Sequence, residues 1–589
     1  MRGIGRGLTV ARTFTANLLF VLFVLFVVAI FVSGGGAVSV PEHGALVLAP
    51  TGTIVEQVSQ SSPFEALVGG DEIAGETRLQ DLLDALDKAR QDDRIAVVVL
   101  DLGELTGASP ADLGAIGNAL TAVKAANKQI VAIGDYYTQA QYYLASFADH
   151  IYMHPMGQVL LTGFGAYGNY YKNLLDRLKV KVHVFRVGIY KAAVEPYTRT
   201  DMSDAAREAN HEMIDELWSD YTGTIEKNRK LSKQQLDQYV DHYDELLQAA
   251  HGDMARAALE HGLVDELISR DEMRDRLIAL VGEDDHTYRQ IGYADYLRAT
   301  RPPQPPAPNE VGVIVASGMI LPGDQPRGTI GADTLIDLIR KARFDDRVKA
   351  VVLRVDSPGG AALSAELIRQ ELELIQLAGK PLVVSMGSVA ASGGYWISAT
   401  ADEIWASPDT VTGSIGIFGI VPTFEDSLAA IGINRDGVGS APLANALDPL
   451  SGISDPMSKI LQANVESGYQ RFLDLVARGR DMLPERVDQI GQGRVWTGRK
   501  AHELGLVDNL GQLSDAVAAA AKRAGLETYQ VRFIEKPLSA RERLLRRLAN
   551  SMGFASAPWS EVARTMTVLA RLNDPQHVYA LCEMCRVTP

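Results

Sequence analysis

The stretch Asp345-Asp346-Arg347-Val348-Lys349-Ala350-Val351-Val352-Leu353 decides the fold, because it matches Asp92-Asp93-Arg94-Ile95-Ala96-Val97-Val98-Val99-Leu100 at a spacing of 253 residues. Asp149-His150-Ile151 with Pro155 matches Asp402-Glu403-Ile404 with Pro408 at the same spacing. His261-Gly262-Leu263-Val264-Asp265 answers Leu504-Gly505-Leu506-Val507-Asp508 at a slightly smaller one. Two similar halves are therefore expected, and a duplicated unit changes how every later residue is read. Residues 96–100, 130–133, 350–355 and 382–385 read as strands, alternating with helical stretches such as 362–377, which is the pattern of βαβ units. Their apolar runs do not alternate, so each sheet should be covered on both faces. The fold class is α/β, in tandem duplicate.

Between the halves, Arg301-Pro302-Pro303-Gln304-Pro305-Pro306-Ala307-Pro308 lacks most backbone donors and favours an extended spacer. The expected organisation is a cytoplasmic N-terminus and transmembrane anchor at 1–39, a first repeat at 40–300, a linker at 301–309, a second repeat at 310–537, and a helical tail at 538–589. Residues 539–548 of that tail read as an Arg-rich amphipathic helix. The anchor is read from residues 14–32, interrupted only by Thr15 and Asn17; about 19 residues at 1.5 Å rise match the ~30 Å hydrocarbon core. Arg2, Arg6 and Arg12 precede it and residues 33–40 carry no Lys or Arg, which places the N-terminus in the cytoplasm and both repeats outside. A cleaved signal peptide is the competing reading, disfavoured by the length of the run. In a bacterium the expected location is the inner membrane, single-pass, with the repeats in the periplasm.

The 589 residues are 47% hydrophobic and 22% charged, the composition of packed globular protein. A formal net charge of −16 argues against a nucleic-acid partner, whose phosphates are bound by Lys and Arg. Cys582 and Cys585 are the only cysteines; they suit a disulfide, a redox pair or half of a metal site, and no role is assigned to them. No G-x-x-x-x-G-K-[ST] loop occurs, and no cofactor or metal is expected.

Two clusters of small, backbone-permissive residues stand at strand ends in the second half: Asp356-Ser357-Pro358-Gly359-Gly360 and Ala390-Ala391-Ser392-Gly393-Gly394-Tyr395-Trp396. Glycines where a strand runs into a helix let N–H groups converge on one point, the requirement for holding a tetrahedral oxyanion. Ser392 is the candidate nucleophile. No histidine lies between His286 and His502, neither G-x-S-x-G nor S-x-x-K occurs, and residues 381–458 contain no lysine. The first half supplies Lys191 in the largely apolar stretch Gly188-Ile189-Tyr190-Lys191-Ala192-Ala193-Val194-Glu195-Pro196, where burial would free the amine of its proton. Shifting Ser392-Gly393-Gly394-Tyr395-Trp396 by 253 residues lands on Gln139-Ala140-Gln141-Tyr142-Tyr143, so the first copy has lost serine and glycines. A Ser/Lys dyad must then cross between the repeats. Trp396 and Trp405 read as core, and Tyr395 as a candidate for lining a groove.

Tyr190-Lys191-x-x-Val194-Glu195-Pro196, Asp356-Ser357-Pro358-Gly359-Gly360, Ala391-Ser392-Gly393-Gly394-Tyr395 and Thr412-Gly413-Ser414-Ile415-Gly416 together resemble the long, two-repeat form of the signal peptide peptidase A (protease IV) family, over nearly the whole chain. The resemblance implies two domains like Clp protease and the crotonases, with Ser392 as nucleophile, Lys191 as general base and Ser414 orienting the lysine. It implies backbone N–H groups of Gly360 and Gly393 as oxyanion donors. It further implies a homotetramer at the inner membrane that degrades cleaved signal peptides and other extended apolar peptides. The alternatives are a crotonase-like acyl-CoA enzyme and a non-catalytic membrane-anchored scaffold.

Overall fold

Each quoted Asp-Asp-Arg turn is a self-contained cap on the strand that follows it. Asp92 accepts hydrogen bonds from the Arg94 backbone N–H at 3.1 Å and guanidinium at 2.7 Å, and Asp345 accepts the same pair from Arg347 at 3.0 and 2.8 Å. The Arg94 guanidinium holds the Asp92 carboxyl down at about 2. A lysine at the head of the next strand closes each turn: Lys128 Nζ donates to Asp92 O at 2.7 Å and Lys380 Nζ to Asp345 O at 2.9 Å. With both ends pinned, the β-branched runs enter the sheets in matching register.

The computed structural model describes residues 39–59, 75–301, 307–536 and 578–582, together with Asn17, Leu18, Phe20, Val21, Pro305 and Cys585. The first half contributes β1 (Gly44–Leu48), β2 (Ile95–Asp101), β3 (Gln129–Gly134), β4 (His150–Met153), β5 (Lys181–Val187), β6 (Glu266–Leu267) and β7 (Gln290–Gly292). The second contributes β8 (Glu310–Ser317), β9 (Ile320–Leu321), β10 (Ile330–Gly331), β11 (Val348–Ser357), β12 (Gly359–Ala361), β13 (Leu382–Ala391), β14 (Glu403–Ala406), β15 (Val411–Gly413), β16 (Ile417–Thr423), β17 (Val495–Thr497), β18 (Gln530–Phe533) and the C-terminal β19 (Val578–Leu581). One parallel sheet runs β7-β1-β2-β3-β4-β6. Its counterpart runs β17-β15-β13-β11-β8-β18, with β14 also on β13 and only the edge strand β17 antiparallel. A third sheet, β10-β9-β12-β19-β16-β5, joins the halves.

The helices used below are α1 (Pro110–Ala125), α2 (Gln139–Ala145), α3 (Asp204–Arg229), α4 (Ala362–Leu377), α5 (Gly393–Ser398) and α6 (Asp455–Arg480). Each parallel sheet has an apolar core on either face, as its uninterrupted strands demand. The expected helix at 362–377 coincides with α4. The duplication reaches individual hydrogen bonds: Tyr142 of α2 donates its hydroxyl to Leu263 O at 2.8 Å, and Tyr395 of α5 to Leu506 O at 2.7 Å.

Tyr395 thus corrects the expectation of a groove position. It is fully buried, and its hydroxyl is spent on tying α5 to the end of the repeat. The tail also departs from its expected helical form where it is described, since Val578-Tyr579-Ala580-Leu581 is a strand. Branched and aromatic side chains suit a pleated surface, and two waiting strand edges receive its backbone. Among the described residues no helix is long and apolar enough to cross a membrane. The expected anchor lies outside the described residues apart from Asn17, Leu18, Phe20 and Val21, and the expected helix at 539–548 lies wholly outside them.

Removing either tyrosine hydroxyl leaves a buried carbonyl unpaired. Tyr142→Phe and Tyr395→Phe are each expected to lower stability by about 1–3 kcal/mol in urea unfolding, with similar costs at the two matched sites.

Candidate active site

Ser392 is the single residue between β13 and α5, with φ 56° and ψ −112°. A side-chain-bearing residue rarely adopts that conformation, which costs on the order of 1–3 kcal/mol and persists only where its surroundings impose it. Here the Ser392 N–H donates to Gly413 O at 2.8 Å and its carbonyl accepts from Trp396 N at 2.8 Å. Strand and helix hold the joint from both sides, and the serine is fully buried.

Lys191 reaches this point from the other repeat. β5 pairs antiparallel with β16 from Ile417↔Val187 to Thr423↔Lys181, delivering the chain to Gly188-Ile189-Tyr190-Lys191 beside Ser414. The segment before β17 then clamps the lysine backbone: Tyr190 N donates to Gln492 O at 2.9 Å and Gly493 N to Ile415 O at 2.7 Å. Gly493 has φ +82°, and a Cβ there would stand 2.7 Å from Lys191 N, so only glycine fits. The guanidinium of Arg494 covers the Tyr190 ring at 4.7 Å and donates to its hydroxyl at 2.9 Å.

Lys191 Nζ lies 2.7 Å from Ser392 Oγ, 3.0 Å from Ser414 Oγ and 3.1 Å from Ser414 O. The lysine is 1% exposed, and burial alone pulls its amine well below the ordinary lysine range. A neutral amine has two N–H bonds and one lone pair. Three oxygens, two of Ser414 and one of Ser392, stand 2.7–3.1 Å from Nζ and match those three positions in number. Both residues belong to one chain, and no movement is needed to join them.

Gly359 and Gly360 open β12 beside this pair. The Gly359 N–H donates to Ser357 Oγ at 3.1 Å, and Asp356 Oδ1 accepts from Val389 N at 3.0 Å, fixing the turn between β11 and β12 against β13. A Cβ built on Gly359, at φ +98°, would meet Gly393 N at 2.6 Å and Ala580 O at 2.0 Å. One built on Gly393 would lie 3.1 Å from Gly360 N and 3.0 Å from Ala580 O. The backbone nitrogens of Gly360 and Gly393 therefore border one small space next to Ser392, and the carbonyl of Ala580 points into it.

Behind this turn lies a buried polar network with no motif to announce it. Arg354 of β11 pairs with Glu56 and donates to Ser385 Oγ and Met386 O, both at 2.8 Å. Ser388 donates to Asp112 of α1 at 3.1 Å. Burial and the neighbouring carboxylates of Glu56 and Asp356 push the Asp112 carboxyl up to about 7. Glu56 and Asp112 come from the first repeat, so it supports the second's glycine turn as well as lending it a lysine. Gln492, Gly493 and Arg494 were equally hidden, their only trace in the sequence being the Gly491-Gln492-Gly493 turn signal. His502 contacts Val507 O at 3.1 Å, in the helix-end setting its sequence suggests. Cys582 and Cys585 form a disulfide. Among the described residues no group of three or more His, Cys, Asp and Glu side chains is disposed to hold a metal ion.

The model of peptidase family S49 matches residues 122–282 and 375–527, once in each repeat. Protease 4 of Salmonella typhi is 42% identical over 606 residues, covering 98% of this chain and 97% of that one. Protease 4 of Haemophilus influenzae is 37% identical over 598 residues, with 98% and 97% covered. A putative signal peptide peptidase SppA of Enterococcus faecium is 35% identical over 188 residues, covering 32% of this chain and 55% of its own. A match that falls once on each half, joined to relatives aligned from end to end, means that the chain belongs to peptidase family S49 and is a serine endopeptidase of two tandem α/β repeats.

Proposed function

We propose that the endopeptidase works through a dyad of Ser392 and Lys191, and the 2.7 Å contact between Nζ and Oγ carries this reading. Neutral Lys191 takes the hydroxyl proton as Ser392 attacks a peptide carbonyl, and returns it to the departing amine. It then activates the water that clears the acyl-enzyme. Ser414 orients the lone pair. The N–H groups of Gly360 and Gly393 stabilise the oxyanion, preorganised where the negative charge develops.

The substrates we infer are signal peptides and other extended apolar peptides, since a peptide strand can take the position between β12 and β16 in which β19 lies and drop alternate side chains into apolar pockets. The name of the Enterococcus faecium relative points the same way. Residues 1–39 anchor the chain in the inner membrane with the N-terminus cytoplasmic. The repeats at 40–300 and 310–537, separated by the 301–309 linker, lie in the periplasm and assemble as a homotetramer. Neither cofactor nor metal takes part.

Three outcomes test the dyad. Ser392→Ala and Lys191→Ala are each expected to lose about 10²–10⁴-fold or more in kcat/KM toward a fluorogenic peptide, and mixing the two proteins is expected to restore nothing, because each site is built within one chain. In the wild type, protonated Lys191 cannot accept a proton, so kcat/KM should climb with pH and level off below the ordinary lysine range. An activity maximum well below pH 6 would contradict the assigned base. Lys191→Met should abolish activity without lowering the melting temperature at neutral pH. The depressed lysine makes the unfolded chain bind one more proton between the two pKa values, so wild-type stability rises with pH across that window, and the variant should lose that slope.

A further inference from the structure

Beside the lysine lies a buried amide that the dyad does not use. Asn210 stands on α3, on the face that buries Ala206, Ala209, Met213 and Leu217. Met213 and Leu217 pack with Ala391, the residue before Ser392, so this face of the helix belongs to the site. We propose that Asn210 positions the water that hydrolyses the acyl-enzyme, an inference that rests on the Ser392/Lys191 reading above.

Three observations carry it. The first is an acceptor left over. Asn210 is 7% exposed, and its Nδ2 donates to Ala206 O at 2.8 Å and lies 3.6 Å from Met202 Sδ. Both neighbours are acceptors, so turning the amide over would set oxygen against oxygen, and the nitrogen end is fixed. Oδ1 is then buried with no hydrogen-bond partner among the described residues. Buried polar atoms of that kind are few in folded proteins, and a bound water is the usual partner where the chain supplies none.

The second is room for that water. Asn210, Lys191 and Ser414 line a cavity of about 30 Å³, the size for a single water. Ala206, Ala209 and Val495 are among its other walls. A water in so apolar an enclosure takes its orientation from the few polar groups present.

The third is the side on which the cavity lies. The strand β19 occupies the path of a peptide between β12 and β16, and the Ala580 carbonyl points into the space that the Gly360 and Gly393 nitrogens border. Leu581 and Cys582, the residues after that carbonyl, line the cavity. In a bound peptide those places belong to the leaving segment. When it departs, the cavity opens toward the acyl carbon from the side on which the bond was broken, with Lys191 alongside.

The step balances with water as the one added reactant. One O–H of the water donates to Asn210 Oδ1, and the other is directed at Lys191 Nζ. The water oxygen bonds to the ester carbon as its proton passes to Nζ. The bond from that carbon to Ser392 Oγ then breaks, Nζ returns the proton to Oγ, and the peptide leaves with a new carboxyl group. Asn210 gains and loses nothing. Formation of the acyl-enzyme needs no water, so only the second half of the reaction depends on this residue.

The test separates the two halves in the full-length protein, using acetyl-Val-Tyr-Ala as a nitrophenyl ester, whose hydrolysis is limited by deacylation, and as an aminocoumarin amide, limited by acylation. Asn210→Leu removes the acceptor at similar size, and Ala209→Val fills the cavity from the same helix. Each is expected to release one nitrophenol per active site in a burst and then turn the ester over about 10–100-fold more slowly than the wild type, with kcat/KM for the amide within about threefold. Wild-type ester turnover in either variant overturns the assignment, and so do equal losses on ester and amide, which a merely structural role would give. A crystal structure of the wild type is expected to show a water within hydrogen-bond distance of Asn210 Oδ1; a dry cavity overturns the proposal even if a variant fails to fold. A burst in Ser392→Ala would overturn the dyad as well.

Discussion

The seven-residue antiparallel pairing of β5 with β16 is the constraint on which the site depends. Two βαβ units could pack side by side through apolar faces alone, but such packing tolerates sliding, and a sliding interface does not hold two atoms 2.7 Å apart. A hydrogen-bonded ladder does not slide, because a shift of one residue would turn every inward side chain outward. The ladder ends at Val187, four residues before Lys191, and the Gly493 clamp takes over where it stops. The lysine is therefore positioned by backbone on both sides, and little is left to its own flexible stem.

Burial does the chemical part of the same work. An ordinary lysine at neutral pH is a poor base because it is already protonated. Among the described residues no carboxylate pairs with Lys191, and its Nζ meets the oxygens of Ser414 and Ser392. Folding thus accepts a desolvated amine that a methionine would fill more comfortably, together with the unusual backbone of Ser392. Such local costs are commonly concentrated where a protein does its chemistry. The polar network of Glu56, Arg354 and Asp112 plays a different part, bracing the glycine turn from behind.

Duplication explains how one repeat came to serve the other. The tyrosines at 142 and 395, the lysines at 128 and 380 and the capped Asp-Asp-Arg turns keep identical duties in both halves, since each repeat must still fold. At the strand-to-helix joint the halves part. The first has Gln139, whose side chain accepts from Thr162 N and Gly163 N and only secures a loop, whereas the second has Ser392 and its glycines. With only one site to build, the first repeat was free to become its scaffold and to supply its lysine.

Much of this was legible in the sequence because it is local or periodic. The matched turns predicted the duplication, the unbroken apolar runs predicted sheets covered on both faces, and the absence of histidine and lysine around Ser392 pointed across the repeats to Lys191. Those readings rest on short-range rules of capping, periodicity and elimination. Other features depended on residues far apart in the chain meeting in space. The clamp by Gln492 and Gly493, the brace from Glu56 and Asp112, the burial of Tyr395 and the insertion of Val578–Leu581 between β12 and β16 have no local signature beyond the Gly491-Gln492-Gly493 turn. Each is set by which edges and cavities the packed repeats leave open. Sequence by itself determined the two units and the chemical types available to them; only the tertiary structure decided which atoms touch, because contact across hundreds of residues is a property of packing and not of pattern.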